Sequence, residues 1–435
     1  MTISGRLPVK WIRIALLNFS MLALLGVFLR YKVSFSLPVI EFKNLLHAHS
    51  HFAFAGWIST CLYAMLMAFF LDENQQQKKI YVNLFILSQV TAYGMLISFL
   101  LAEYGPFSIA FSTLSILVSY FFAWNLWKDT RKDKKSLSVI ALRFALICLV
   151  LSSIGPYILA YIKSNHILNG VWYNNAIYWY LHFQYNGWFS FAIFAIALHS
   201  LTDTFGLELV KRLKIYLWLM IFACIPAYLL SILWSMPPDW VYIIGGLAAF
   251  IQVIAYLGML SFLIKERNVL KFRIRKEGGW LLLFSFISIS IKIALQQMLV
   301  FPVLNHFVFG HRPVIIGYLH LVLLGFVSFF LIGIAVRKNY LSMKSRFTSG
   351  SLFVFVIGVL LNEFCLLLQG FSDILYEPMK TVPAWLFVAA LMMFVGITGF
   401  AWSQDWLHWL SKDVVREKKD SENPKLSGRK ILADK

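Results

Sequence analysis

The chain has 435 residues, 60% of them hydrophobic, 17% aromatic and only 14% charged, with a formal net charge of +19. Soluble globular chains run near about 45–50% apolar and about 25% charged, so this composition excludes a soluble domain and requires a bilayer as solvent. The positive charge does not argue for nucleic acid, because Lys and Arg fall in short loops between apolar spans, as orientation across a membrane demands.

A hydrocarbon core takes ~20 apolar residues per helix. The runs that satisfy this are 10–30, 45–71, 79–102, 106–128, 138–162 and 173–200, then 213–234, 240–264, 279–300, 313–336, 349–370 and 383–408. The first is read as a membrane helix. Its apolar stretch, Trp11 to Leu29, is longer than a signal-peptide core and no small-residue cleavage site follows.

Alternate loops are basic. Lys128, Arg131, Lys132, Lys134 and Lys135 follow the fourth span; Lys211, Arg212 and Lys214 the sixth; Lys265, Arg267, Lys271, Arg273, Arg275 and Lys276 the eighth; Arg337, Lys338, Lys344 and Arg346 the tenth. The other loops are poorer, apart from Arg30, Lys32 and Lys43 in the first. The expected fold is all-α and polytopic, with about twelve transmembrane helices and both termini cytoplasmic. Residues 1–410 form one membrane domain, and 411–435 form a charged tail without an apolar face, expected to be disordered. No short-period repeat is evident. Cys61, Cys148, Cys224 and Cys365 fall inside apolar spans without a C-x-x-C pair, so structural disulfides and a zinc ribbon are not expected.

The stretch NLLHAHSHFAFAGW, Asn44 to Trp57, places His47, His49 and His51 at the start of the second span. His182, in YWYLHFQYNGWFSF, and His320, in GYLHLVLLGF, lie in the sixth and tenth. On the expected topology these three helices begin at the outer face. At 1.5 Å per residue His51 is roughly 9 Å deep, His182 roughly 14 Å and His320 roughly 11 Å. Intramembrane ionisable residues are expensive and mark function, and imidazole suits a transition metal, haem iron included. A bis-histidine haem needs one ligand from each of two helices at one depth, which His320 and one of the HAHSH histidines meet. His47 and His51 share a helix face while His49 points ~200° away, so all three do not bind one iron. His51, the deepest, is favoured, with His49 second; His47 sits near the interface. His306, His311 and Arg312 lie in the outer loop above His320 and are candidates for contacting propionates. His166, His199 and His408 lie near helix ends and read as interfacial.

Histidines on the second, sixth and tenth of about twelve helices resemble the haem–copper oxidase subunit I superfamily: cytochrome oxidases, nitric oxide reductases and, more distantly, NnrS-like proteins. The resemblance implies that His320 and either His51 or His49 bind a low-spin b-type haem and that His182 is a metal ligand. HFQYNGW is similar to that family's H-P-E-V-Y stretch, with Tyr185 one position early. Two features depart from the pattern. The family's H-x-H has Tyr318 at its first position here, and the seventh span, KIYLWLMIFACIPAYLLSILW, contains no histidine. These departures argue against copper or another second metal and against conventional oxygen reduction.

Lys292, Gln296 and Gln297 in the ninth span, and Asn362, Glu363 and Gln369 in the eleventh, are either parts of a proton path or pairs that hold helices together. Glu103 ends the third span. Gln184 and Asn186 flank His182 and are placed to orient it. The expected function is electron transfer, or binding of a small gas such as nitric oxide or dioxygen, at a bis-histidine haem in the outer half of a bacterial inner membrane. Its expected partner is a small redox protein or a quinol. Two alternatives follow from the same residues. One is a reductase in which His182, Tyr185 and Tyr318 surround a remodelled metal site. The other is a cofactor-free, proton-coupled secondary transporter with the histidines and Glu363 as proton sites.

Overall fold

The computed structural model describes residues 7–130, 136–268, 277–375 and 379–404. The expected tail at 411–435 and His408 lie outside the described residues, as does the side chain of His306. Among the described residues every regular element is helical. Twelve helices are long and apolar enough to cross a membrane. They are α1 (Leu7–Ser34), α2 (Phe42–Phe70), α3 (Lys79–Leu101), α4 (Pro106–Asp129), α5 (Leu137–Ser164) and α6 (Gly170–Phe205), followed by α7 (Leu207–Ser235), α8 (Asp239–Lys265), α9 (Gly279–Met298), α10 (Arg312–Arg337), α11 (Arg346–Leu375) and α12 (Val382–Trp402). The described part of the final span is helical to Trp402, with Ser403 and Gln404 following; 405–408 lie outside the described residues.

Each helix packs on the next in sequence, and α12 returns to pack on α1, so the chain closes a ring. Helices α2, α6 and α10 meet one another inside it. The α2–α6 contact carries Phe54 against Phe189 at 5.3 Å and Tyr63 against Trp188 at 5.8 Å. Tyr185 of α6 meets Tyr318 of α10 edge-on at 6.2 Å. Trp57 of α2 donates its indole N–H to Ser328 Oγ of α10 at 2.9 Å. Exposed apolar side chains such as Phe121, Trp124, Phe250 and Phe353 lie on other helices, as expected where lipid is the solvent.

The three inner helices share a local distortion. Each carries a π-helical segment beside its histidine: Ala53–Ser59, His182–Phe189 and Leu321–Ser328. A π register adds a residue to the turn and displaces a carbonyl from its usual donor. In each case a hydroxyl takes up the carbonyl five residues back: Thr60 to Ala55 at 2.9 Å, Ser190 to Tyr185 at 2.6 Å and Ser328 to Leu323 at 2.7 Å. In α2 the Gly56 carbonyl also receives Asn18 Nδ2 of α1 at 2.7 Å.

A sequence pattern accompanies the three segments and recurs once in each successive group of four helices, H-x4-G-[WF]-x-S, its serine being the bonding hydroxyl in α6 and α10. It reads His51 to Ser59, His182 to Ser190 and His320 to Ser328. Its glycine admits a neighbour in two of the three cases. A Cβ at Gly187 would lie 2.5 Å from Cys148 Cβ of α5, and one at Gly325 would lie 2.6 Å from Ser288 Oγ of α9.

Ser328 therefore serves two partners, as acceptor for Trp57 and as donor to Leu323. Ser328→Ala leaves a buried indole N–H unsatisfied and is expected to cost about 1–3 kcal/mol. Thermal unfolding in detergent reads this out, and an unchanged midpoint would remove the bond from the account.

Candidate functional site

The α2 histidines divide between two faces. His47 and His51 turn toward α3. His51 stacks on Phe99 at 4.3 Å with an interplanar angle of 12°, and His47 Nε2 lies 3.2 Å from Glu103 Oε1. Tyr104 closes over His47 at 4.9 Å, and Lys163 lies over the Tyr104 ring at 4.3 Å. Burial pushes the Tyr104 phenol up to about 12, so it is a neutral hydrogen-bonding group at physiological pH. These contacts make His47 and His51 parts of a polar cluster at the end of α3.

His49 takes the opposite face. It lies over Gly26 of α1, where an added Cβ would be 3.4 Å from His49 Cε1. Its electrostatic neighbours include His320 of α10 and Arg30 of α1. Among the described residues the buried Nδ1 of His49 has no hydrogen bond, and the Leu22 backbone lies near the ring.

His320 Nδ1 bonds the Ile316 carbonyl at 2.9 Å, one turn back. That bond makes Nδ1 the protonated nitrogen and leaves the lone pair on Nε2, the tautomer in which an imidazole can bind a metal. Both rings keep part of their surface uncovered by protein although they lie within the bundle. Of the three HAHSH histidines, His49, not the deeper His51, has His320 as a charge neighbour.

Arg30, counted at the sequence level only as a stray loop charge, is the residue that reading missed. It ends the inner face of α1 and has His49, His320 and Glu363 of α11 as charge neighbours. Asn362 Nδ2 donates to Glu363 Oε1 at 3.1 Å. The signal was available in the length of α1, since seven turns from Leu7 carry Arg30 within the helix rather than past its end.

His182 lies apart from this pair and has both ring nitrogens engaged. Nδ1 accepts from Asn186 Nδ2 at 3.1 Å, and Nε2 donates to the Cys224 carbonyl at 2.9 Å. That carbonyl is free because Pro226 tightens α7 into a 3-10 stretch, and the Tyr228 N–H bonds Ile225 instead. His182 offers no spare lone pair, so the metal-ligand role implied by the resemblance is not matched by its geometry. Asn186 orients His182 as expected, whereas Gln184 turns to Ser152 Oγ at 2.9 Å. Gln296 pairs with Gln252 of α8 at 2.9 Å, and Lys292 faces Cys224. Among the described residues no three His, Cys, Asp or Glu side chains gather in an arrangement that would hold a metal ion.

The donor set at His49 and His320 fits a haem iron on three counts. Two imidazoles come from different helices, one is oriented by a backbone carbonyl, and the other carries a buried nitrogen lacking an ordinary hydrogen bond. No protein-family model matches the chain, and no curated protein shows significant similarity to it.

Proposed function

We propose that the chain is a membrane haem protein in which His49 and His320 hold the iron of one b-type haem between α1, α2 and α10. The observation that supports this reading is the His320 Nδ1 bond to the Ile316 carbonyl, which leaves Nε2 as the ring nitrogen able to bind a metal, with His49 as a charge neighbour. Such a group supplies one-electron transfer. Were both imidazoles to hold the iron, the site would suit electron transfer better than gas binding. Arg30 places a positive charge beside both ligands, where propionate carboxylates would need one. The basic alternate loops support a bacterial inner membrane with both termini in the cytoplasm, and a quinol or small redox protein as partner.

Haem extracted from the purified protein tests the proposal: one b-type haem per chain is expected, and a haem-free preparation from haem-replete cells would overturn it. Arg30→Gln is expected to lower the haem reduction potential, because a nearby positive charge favours the electron-rich state. A redox titration that returns an unchanged or higher potential would separate Arg30 from the site.

A second reading, proton-coupled transport, draws on the half-exposed His47–Glu103 pair at 3.2 Å. Uptake driven by a proton gradient in haem-free proteoliposomes, abolished by Glu103→Gln, would establish it over the first.

A further inference from the structure

Three helices bring thiols and an amine together around the π segment of α6. Cys148 of α5 and Cys224 of α7 are both fully enclosed. Both sulfurs pack against the same peptide of α6, Asn186–Gly187. Cys224 Sγ lies 3.9 Å from the Asn186 carbonyl oxygen, and a Cβ at Gly187 would fall 2.8 Å from Cys148 Sγ. Gly187 is what lets the backbone of α6 approach so closely.

The second observation is Lys292 of α9. It is 6% exposed near the middle of an apolar helix, a costly position unless an anion balances it. Among the described residues it forms no ion pair with a carboxylate, and the Cys224 thiol is a charge neighbour. A buried lysine with only a thiol as counter-charge fits a site that becomes anionic when something binds.

We propose that Cys148 and Cys224 form a two-coordinate site for a soft monovalent d10 metal ion of the copper(I) and silver(I) class. Thiolate is the donor that selects such ions. The ion replaces both thiol protons and leaves a bis-thiolate complex of one net negative charge, which the Lys292 ammonium cancels. His182 stays outside the coordination, since both its nitrogens are used. The site is independent of the haem reading and shares no residue with it.

The test uses full-length protein carrying Cys61→Ser and Cys365→Ser, so that Cys148 and Cys224 are the only thiols left. Under anaerobic conditions it is titrated with copper(I) held by a chromophoric chelator, and the bound ion is examined by X-ray absorption. One equivalent of copper(I) with two sulfur neighbours is expected. Further replacement of Cys148 and Cys224 by Ser should reduce binding to background, and Lys292→Met should weaken it about 10–100-fold, as losing an outer-shell partner does. No uptake by the two-thiol protein, nitrogen ligation of the bound ion, or full uptake after all four cysteines are replaced would each overturn the proposal. The two-thiol protein decides the matter even if the all-serine variant fails to fold.

Discussion

His320→Ala and His49→Ala are each expected to abolish the low-spin haem, while His51→Ala leaves it in place. Direction, not depth, separates the three histidines. His51 is packed flat on Phe99, so its ring belongs to the α2–α3 contact, and His49 faces Gly26, Arg30 and His320. Removing either axial imidazole loses one ligand and one anchor, so haem content should fall to the background of the double variant His49→Ala, His320→Ala. His51→Ala loses an aromatic stack worth about 0.5–1.5 kcal/mol beyond area, which lowers stability without touching the spectrum. The reverse pattern, with His51 essential and His49 dispensable, would place the iron on the other face of α2.

Gly187→Ala should produce a large structural effect. The added Cβ would fall 2.5 Å from Cys148 Cβ, closer than carbon atoms approach, and neither partner is the flexible end of a long side chain. Overpacking a well-filled core costs about 1–3 kcal/mol, and here α6 must move away from α5 or its π segment must re-register. Cys148→Gly in the same chain removes the obstructing atom and should recover much of the loss. Thermal unfolding of the two single variants and the double variant measures the coupling, and additive losses would mean that the contact at Gly187 is not the cause.

The helices were legible in the sequence because a membrane span announces itself by length and hydropathy alone. Span limits such as 79–102 and 106–128 match Lys79–Leu101 and Pro106–Asp129 to within a residue. Which histidine faces the interior was not legible in that way. An ideal helix wheel separates His49 from His51, but the wheel has no origin until the neighbours are known. Depth favoured His51, while packing on Phe99 and Gly26 decided the faces. The polar setting of His182 depended on a carbonyl released by Pro226 in another helix, which no local pattern reports.

The approach of Cys148 and Cys224 to one peptide of α6 is likewise tertiary, since these residues sit on α5 and α7. The π segments, by contrast, left a readable trace. His51, His182 and His320 each precede a glycine by five positions, an aromatic by six and a serine by eight. That recurrence marks the three inner helices in the sequence itself.

The most direct test of the central claim is a reduced-minus-oxidised optical spectrum of the detergent-purified protein from haem-replete cells, recorded with and without carbon monoxide. Ligation by His49 and His320 predicts a sharp low-spin α-band that carbon monoxide leaves unchanged, because both axial positions are filled. A flat spectrum from folded protein would contradict the haem itself, and a band that shifts with carbon monoxide would contradict the two-histidine ligation.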